Sequence, residues 1–125
     1  MNIQNQINYW LNSAGEDMVT AEVLINNQRL LHGLFWCHLT IEKILKAHVV
    51  KHTLEVPPKT HNLVWLLDKT IIQLNDEQEK LIGELMVYQL EGRYPESFPS
   101  PPSQTDAIEI LKATKNLYQW LKQKL

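Results

Sequence analysis

Apolar residues recur at alternating steps of three and four over the first part of the chain: Ile3, Ile7, Trp10 or Leu11, Ala14, Met18, Ala21 and Ile25. One face of an α-helix has this spacing. We therefore predict a first helix that starts near Ile3 and stops at the pair Asn26 and Asn27. A second helix is predicted from about Leu30 to His52, with these inward positions: Leu31, Leu34, Ile41, Leu45 and Val49.

Proline and capping residues divide the next part of the chain. Pro57 and Pro58 end the second helix, because proline lacks an N–H and restricts the residue before it. Thr60 is the predicted N-cap of a third helix, which carries Leu63, Leu66, Leu67, Ile71 and Leu74. Asp76 and Glu79 resemble a capping box. They predict a fourth helix, with Leu81, Leu85 and Tyr88, that ends near Gly92.

The C-terminal part of the chain contains a segment rich in proline and serine. Pro95 to Ser103 is predicted to be an extended loop, because its prolines exclude a helix. A last helix is predicted from about Thr105, with these core positions: Ile108, Leu111, Leu117 and Leu121. No segment alternates apolar and polar residues with period two, so the fold class is all-α: an antiparallel up-and-down bundle of four to five helices.

Length and composition indicate one domain over residues 1–125. Hydrophobic residues make up 44% and charged residues 21%, the proportions of an ordinary globular chain. The formal net charge of −2 excludes binding to nucleic acid across a broad basic surface, so any such site must be local. We find no signal peptide and no apolar stretch long enough to cross a membrane. The single cysteine, Cys37, is interpreted as a buried apolar residue, and we expect a cytoplasmic protein without a membrane partner.

Metal and cofactor motifs are weak. His48 and His52 are four residues apart, which is the spacing of two imidazole ligands on one helix face. No third ligand accompanies them, and no glutamate lies between them where a zinc protease would have one. The glycines are isolated and form no phosphate-binding loop. We predict neither a metal nor a cofactor.

Two polar groups are candidates for a binding site. Glu42, Lys43 and Lys46 share one side of the second helix, where they form either a solvated ion pair or a small phosphate-binding patch. Tyr88, Arg93 and Tyr94 lie where the fourth helix gives way to the loop. Arg93 either binds carbonyl groups at that helix end or grips a phosphate while a tyrosine stacks on a base.

Three motifs, in their order and spacing, resemble one known family. They are Glu42-Lys43-Ile44-Leu45-Lys46-Ala47 in the second helix, Thr60-His61-Asn62-Leu63 at the third, and Arg93-Tyr94-Pro95 after the fourth. Together with a long first helix they resemble the HEPN domain (higher eukaryotes and prokaryotes nucleotide-binding) along essentially the whole chain. The resemblance implies a helical bundle that forms a homodimer. Many prokaryotic members act with a minimal nucleotidyltransferase as toxin and antitoxin.

The resemblance also implies a chemistry that this sequence does not fully carry. Active HEPN members are metal-independent ribonucleases with an arginine, four to six residues, and then a histidine. Arg93 matches the arginine, but the corresponding positions hold Phe98, Pro99 and Ser100. Arg29 precedes His32 too closely to be the motif. Proton transfer would need another histidine, such as His61, to approach in space.

We therefore expect a non-catalytic module that binds a nucleotide or RNA, as a homodimer, with a nucleotidyltransferase partner, or both. The first alternative is a metal-independent ribonuclease toxin of a toxin–antitoxin pair. The second is a structural interaction module that uses exposed tryptophans among Trp10, Trp36, Trp65 and Trp120. The predicted ligand-binding residues are Arg93, Tyr94, Lys43, Lys46, Tyr88 and His61.

Overall fold

The computed structural model describes all 125 residues and has five α-helices, one short 3-10 helix and no strand. The all-α helical bundle predicted from the sequence is confirmed. The helices are α1 (Ile3–Asn26), α2 (Leu30–Thr53), α3 (Leu63–Asp68), α4 (Asp76–Val87) and α5 (Gln104–Gln123), with the 3-10 turn at Pro95–Ser97.

Helices α1 and α2 form an antiparallel hairpin along their full lengths. The pairing runs from Ile25 beside Gly33 near the connection to Ile7 packed with Val50 near the far end. Gln28 has a φ of 66°, which reverses the chain between the two helices. Helix α2 also contacts α3, α4 and α5 and is therefore the central helix of the bundle.

Helix α3 is shorter than predicted and begins later. Its N-cap is Asn62, whose side chain accepts a hydrogen bond from the N–H of Trp65, whereas the predicted cap Thr60 receives the N–H of Asn62 in a preceding turn. Both residue types cap helices, so local chemistry alone does not choose between them. Because α3 ends at Asp68, the predicted core residue Ile71 is instead 75% exposed.

The capping box of α4 lies one residue earlier than predicted. Asn75 and Gln78 exchange side-chain and backbone hydrogen bonds, which replaces the predicted pair Asp76 and Glu79. Asp76 and Glu79 lie in the first turn, where their charge favours the positive end of the helix dipole. The helix ends at Val87, before the predicted end near Gly92.

Helix α5 closes the bundle over α2. It begins at Gln104, where Ser103 caps the helix by accepting from the N–H of Asp106. The apolar faces of all five helices pack together to form the core. Its largest fully buried apolar side chains are Ile25, Leu34, Ile41, Ile44, Leu45, Leu63, Leu66, Leu85, Leu121 and Val49. Two predicted core positions, Leu31 and Ile108, are only half-buried. No helix is both long enough and apolar enough to span a membrane.

Two glycines give opposite expectations for an alanine substitution. A Cβ on Gly33 would lie 2.4 Å from Cγ1 of the buried Ile25, so Gly33→Ala is expected to lower the free energy of unfolding by about 1 to 3 kcal/mol. A Cβ on Gly83, on the exposed side of α4, meets nothing within 4 Å. Gly83→Ala should raise stability by about 0.5 to 1 kcal/mol. Urea denaturation of both variants checks the pair, and equal shifts would contradict the close packing at Gly33.

Candidate functional site

Glu42 is the centre of a buried polar cluster on α2. Its side chain is only 4% exposed. One carboxylate oxygen accepts a hydrogen bond from Lys46 Nζ at 3.0 Å, and the other lies 2.7 Å from Nδ1 of His61. Lys46 is itself only 7% exposed. The expected ion pair between Glu42 and Lys46 is present, but it is buried and not solvated. Trp10 of α1 lies against Lys46, and the chain that leads into α3 covers Glu42.

His38 lies under the same cluster and fixes the backbone of His61. Its Nε2–H donates to the carbonyl oxygen of His61 at 3.0 Å, which leaves Nδ1 without the proton. That Nδ1 lies 3.8 Å from the carboxylate of Glu42 and has no hydrogen-bond partner. Burial lowers the pKa of His38 to about 4, so the ring is neutral at pH 7. His38 therefore positions the chain without adding charge.

Lys43 belongs to a second ion pair, between α2 and α1. Its Nζ lies 2.8 Å from a carboxylate oxygen of Asp17 and donates to the hydroxyl of Ser13 at 2.8 Å. Burial raises the pKa of Asp17, although the ion pair with Lys43 partly opposes that shift. Each ammonium of the predicted phosphate patch, on Lys43 and on Lys46, is thus bound to its own buried carboxylate. Neither is free to neutralise a phosphate.

His61 connects this cluster to the chain that follows α4. While Nδ1 faces Glu42, Nε2 lies 3.1 Å from a carboxylate oxygen of Glu91. The His61 side chain is 39% exposed and that of Glu91 is 64% exposed, so this end of the cluster is open to solvent. Glu91 lies two residues before Arg93, so the cluster and the segment that carries the predicted arginine are neighbours in the fold.

Arg93 and Tyr94 lie on a turn at the surface. The turn is closed by a hydrogen bond from the N–H of Arg93 to the carbonyl of Leu90 at 3.2 Å, and Gly92 has a φ of 78° that favours glycine. Arg93 Nη1 donates to the carbonyl of Ser97 at 3.1 Å, and the guanidinium pairs with no carboxylate. The ring of Tyr94 is 74% exposed.

Tyr88 is not part of this surface. It lines an open groove of about 580 Å³ between α4 and α5 whose other polar residues are Glu77, Glu84, Asp106, Glu109 and Lys80. Burial and the nearby carboxylates raise the pKa of Tyr88. Four carboxylates repel phosphate, and neither Arg93 nor Tyr94 lines this groove, so Tyr88 lies in different chemical surroundings from those two residues.

The histidine pair on α2 has a structural role. The rings of His48 and His52 stack with their centroids 5.9 Å apart. Nε2 of the buried His48 donates to the carbonyl of Leu121 at 2.8 Å, and burial lowers the pKa of the ring. No group of three or more His, Cys, Asp and Glu side chains has the arrangement of a metal site.

The four tryptophans differ in exposure. Trp65 on α3 is 46% exposed, with Lys69 Nζ 5.3 Å from its ring centroid. Trp10, Trp36 and Trp120 are half-buried against the core or its edge. A single exposed tryptophan beside a lysine gives little support to an interaction surface built from tryptophans.

Three residues that contact the predicted site residues were absent from the sequence-based site: Asp17, His38 and Glu91. A signal for Asp17 existed, since it lies three residues after Ala14 and four before Ala21, which is the spacing of the apolar face of α1. For Glu91 the only signal in the sequence was its closeness to Arg93. For His38 the sequence contained no signal, because one histidine in an apolar helix is consistent with many environments.

Comparisons with known proteins agree with this architecture. The family model of the HEPN domain matches residues 7–124. The crystal structure of TT1696 from Thermus thermophilus superposes with a TM-score of 0.80 and 19% sequence identity, covering 97% of this chain and 99% of that chain. At that identity the likeness shows a shared fold alone. No curated protein matches the chain.

Proposed function

Because this chain belongs to the HEPN domain family, we propose that it is a non-catalytic module that binds a nucleotide or RNA at the turn containing Arg93 and Tyr94. One observation carries the proposal. Lys43, Lys46 and His61 are each paired with a carboxylate, whereas the guanidinium of Arg93 is not. Of the three lysine and arginine side chains predicted for the site, Lys43, Lys46 and Arg93, only Arg93 has no carboxylate partner and is free to bind an anionic ligand.

The chemistry of the turn suits a phosphate next to a base. A guanidinium has five N–H donors in a planar fork, and Arg93 uses one of them on Ser97. The remaining donors match two oxygens of a phosphate. Tyr94 offers an exposed ring on which an unpaired base can stack. The expected ligand is therefore a nucleotide or a single-stranded stretch of RNA.

Catalysis is not part of this proposal, because no histidine follows Arg93 at the spacing of the family's ribonucleases. A second candidate is the metal-independent ribonuclease toxin, and one observation favours it. The buried carboxylate of Glu42 orients Nδ1 of the half-exposed His61, as a carboxylate orients a catalytic imidazole. Glu91 covers the other nitrogen of the ring at 3.1 Å, which opposes proton transfer there.

We also propose that the protein acts as a homodimer, with a nucleotidyltransferase partner, or both, in the cytoplasm. Exposed apolar residues on α1, Tyr9, Val19 and Val23, support a protein interaction surface. Cys37 is fully buried and forms no disulfide, which fits a reducing compartment. Light scattering of the purified chain, alone and with the product of a neighbouring nucleotidyltransferase gene, tests both assemblies.

Substitution of Arg93 tests the binding site directly. We expect Arg93→Ala to weaken binding of an end-labelled single-stranded RNA about tenfold, because it removes charge-assisted hydrogen bonds to phosphate. Arg29→Ala is a matched control, since Arg29 is the other arginine of the chain and is exposed at the start of α2. Tyr94→Ala should weaken binding to a similar degree, whereas Tyr94→Phe, which keeps an aromatic ring for stacking, should not.

The assay is run in EDTA on native and denaturing gels, so that it reports binding and cleavage together. A shift that Arg93→Ala loses and Arg29→Ala keeps, with intact RNA, supports the binding module. Cleavage that both Arg93→Ala and His61→Gln abolish supports the ribonuclease instead. Equal binding by Arg93→Ala and Arg29→Ala would contradict the site.

A further inference from the structure

Ile71 is the most exposed large apolar side chain of the chain, at 75%. It lies in the connection between α3 and α4, beside a groove of about 360 Å³ that Lys51 and Lys124 also line. Neither lysine pairs with a carboxylate. Lys51 Nζ donates to the carbonyl of Lys124 at 2.8 Å, and Lys124 Nζ lies 4.5 Å from the ring centroid of Trp120. This end of the bundle therefore presents an apolar side chain with positive charge beside it.

The open groove between α4 and α5 has the opposite charge. Its volume is about 580 Å³, and four carboxylates border it: Glu77, Glu84, Asp106 and Glu109. None of the four forms an ion pair, and Lys80 is the only cation that lines the groove. Leu81, Ile110 and Tyr88 supply apolar lining. The groove is thus suited to an apolar side chain that has ammonium groups next to it, as Ile71 has.

These two regions are opposite ends of one continuous surface. A further groove, of about 290 Å³, shares Leu81 and Ala113 with the acidic groove and continues along α5 to Trp120. The ring of Trp120 contacts the ammonium of Lys124, which lies beside Ile71. We call this surface, from the acidic groove through Trp120 to Ile71, the α4–α5 face. It is negative at one end and positive at the other.

We infer that the α4–α5 face binds the same face of a second copy of this chain across a two-fold axis, with Ile71 of each copy against the acidic groove of the other. A two-fold axis perpendicular to such a surface places each positive end on the negative end of the other copy. A parallel arrangement would instead set like charges against each other, which is unfavourable. This inference rests on the homodimer of the proposed function and identifies its contact surface.

The length of α5 locates the two-fold axis. Asp106 lies at the negative end and Lys124 at the positive end, about 27 Å apart at about 1.5 Å per helical residue. The two-fold relation places Asp106 of one copy opposite Lys124 of the other. The midpoint between them falls beside Asn116, which is exposed and lines the face. Asn116 should therefore lie next to Asn116 of the second copy, because only residues near the axis meet their own counterparts.

The exposed side of α1 lacks this charge pattern. Val19 and Val23 line a groove between α1 and α5 together with Glu22. The carboxylate of Glu22 already pairs with Lys115, which lines the same groove. That side offers no separate positive and negative ends to a second copy. It stays available for a different protein, such as the proposed nucleotidyltransferase.

Two matched cysteine variants test which surface forms the dimer. Asn116→Cys puts a thiol beside the inferred axis, and Asn12→Cys puts one at an equally exposed asparagine of α1. The native Cys37 is buried, so it does not compete for a bismaleimide reagent. The purified variants are treated with a short bismaleimide, and the products are separated on a denaturing gel. We expect Asn116→Cys to form a cross-linked dimer and Asn12→Cys to remain a monomer on that gel.

A second matched pair tests the apolar contact. Ile71→Ser removes the exposed side chain from the α4–α5 face, and Val19→Ser removes an exposed side chain from α1. Both residues are exposed, so both variants should fold. Ile71→Ser should raise the Kd of the dimer by about tenfold or more in sedimentation equilibrium, because each dimer loses two buried apolar side chains. Val19→Ser should leave the Kd unchanged.

Charge reversal tests the pairing of the two ends. Glu84→Lys with Glu109→Lys reverses charges at the acidic groove and should dissociate the dimer. Lys51→Glu with Lys124→Glu, added to the same chain, should restore it. Circular dichroism establishes that each variant is folded. A folded fourfold variant that stays monomeric would contradict the inferred pairing.

The inference and the proposed function fail in different ways. Cross-linking of Asn12→Cys in place of Asn116→Cys, or a Kd that ignores Ile71→Ser, would overturn the α4–α5 contact while the homodimer stands. A monomer at every concentration would overturn both the contact and the homodimer, but binding of RNA that Arg93→Ala weakens would still support the nucleotide site. If Asn116→Cys cross-links and no RNA binds, the nucleotide site is wrong and the inferred contact stands.

Discussion

Replacement of Glu42 by alanine is expected to lower the free energy of unfolding by about 3 to 5 kcal/mol. The substitution leaves the ammonium of Lys46, 7% exposed, without its counterion, and it also removes the anchor of His61 Nδ1. A buried charge without a partner loses hydration and receives no compensating interaction. Guanidinium denaturation followed by circular dichroism measures the loss.

Two further variants separate the buried charge from a general effect of substitution. Glu22→Ala removes the partner of Lys115 at the surface, where both side chains are more than 40% exposed, and should cost less than about 1 kcal/mol. The double variant Glu42→Leu, Lys46→Met removes both buried charges and should recover most of the stability lost in Glu42→Ala. If Glu42→Ala cost no more than Glu22→Ala, the buried ion pair would have no structural importance.

Acidification is expected to destabilise the protein through His38. The pKa of a histidine in the unfolded chain is about 6.5, whereas burial holds the pKa of His38 in the folded protein at about 4. Below pH 6.5 the unfolded chain binds a proton that folded His38 does not bind, so stability falls as the pH drops from about 6.5 to about 4 and is level above that range. The full contribution of this group is about 3 kcal/mol.

The comparison of two glutamine variants isolates this contribution. His38→Gln keeps an N–H that can reach the carbonyl of His61 but does not titrate, and His32→Gln changes an exposed histidine. Between pH 7 and about pH 4, His38→Gln should lose about 3 kcal/mol less stability than the wild type, while His32→Gln should follow the wild type. His48, whose pKa burial also lowers, and Asp17, whose pKa burial raises, act equally in all three proteins. A wild-type slope in His38→Gln would contradict the buried neutral ring.

Sequence patterns predicted the three long helices closely and the middle of the chain less well. The predicted starts of α1 and α2 coincide with the observed residues, and α5 begins one residue before its prediction. Apolar spacing determines such helices because each presents one long face to the core. Helix α3 has six residues, so its spacing carries little information, and the caps Thr60 and Asn62 compete two residues apart. Between Pro57 and Asn75 the sequence therefore predicted that a helix is present, but not where that helix begins and ends.

The candidate site shows the same division. Sequence spacing placed Glu42 and Lys46 on one side of α2 and predicted their ion pair, because residues four apart on a helix are neighbours. It did not predict that the pair is buried, because burial depends on the chain at His61, 19 residues away, folding back over α2. Arg93 was predicted to bind either carbonyl groups at the end of α4 or a phosphate. Its side chain instead binds the carbonyl of Ser97, in the loop after α4, and the ligand-binding role stays a proposal.

The sequence by itself determined the three long helices, their apolar faces and the family, since these depend on residue order and local spacing. Only the tertiary structure decided which charges neutralise each other, because Asp17 meets Lys43, and Glu42 meets His61, only after separate helices pack. The interaction energy of such charge pairs and the protonation of their groups depend on how far solvent is excluded around them, which is a property of the packed bundle. The two lysines of the predicted phosphate patch therefore stabilise the fold through ion pairs with Asp17 and Glu42. Of the predicted lysine and arginine residues, Arg93 alone has no carboxylate partner.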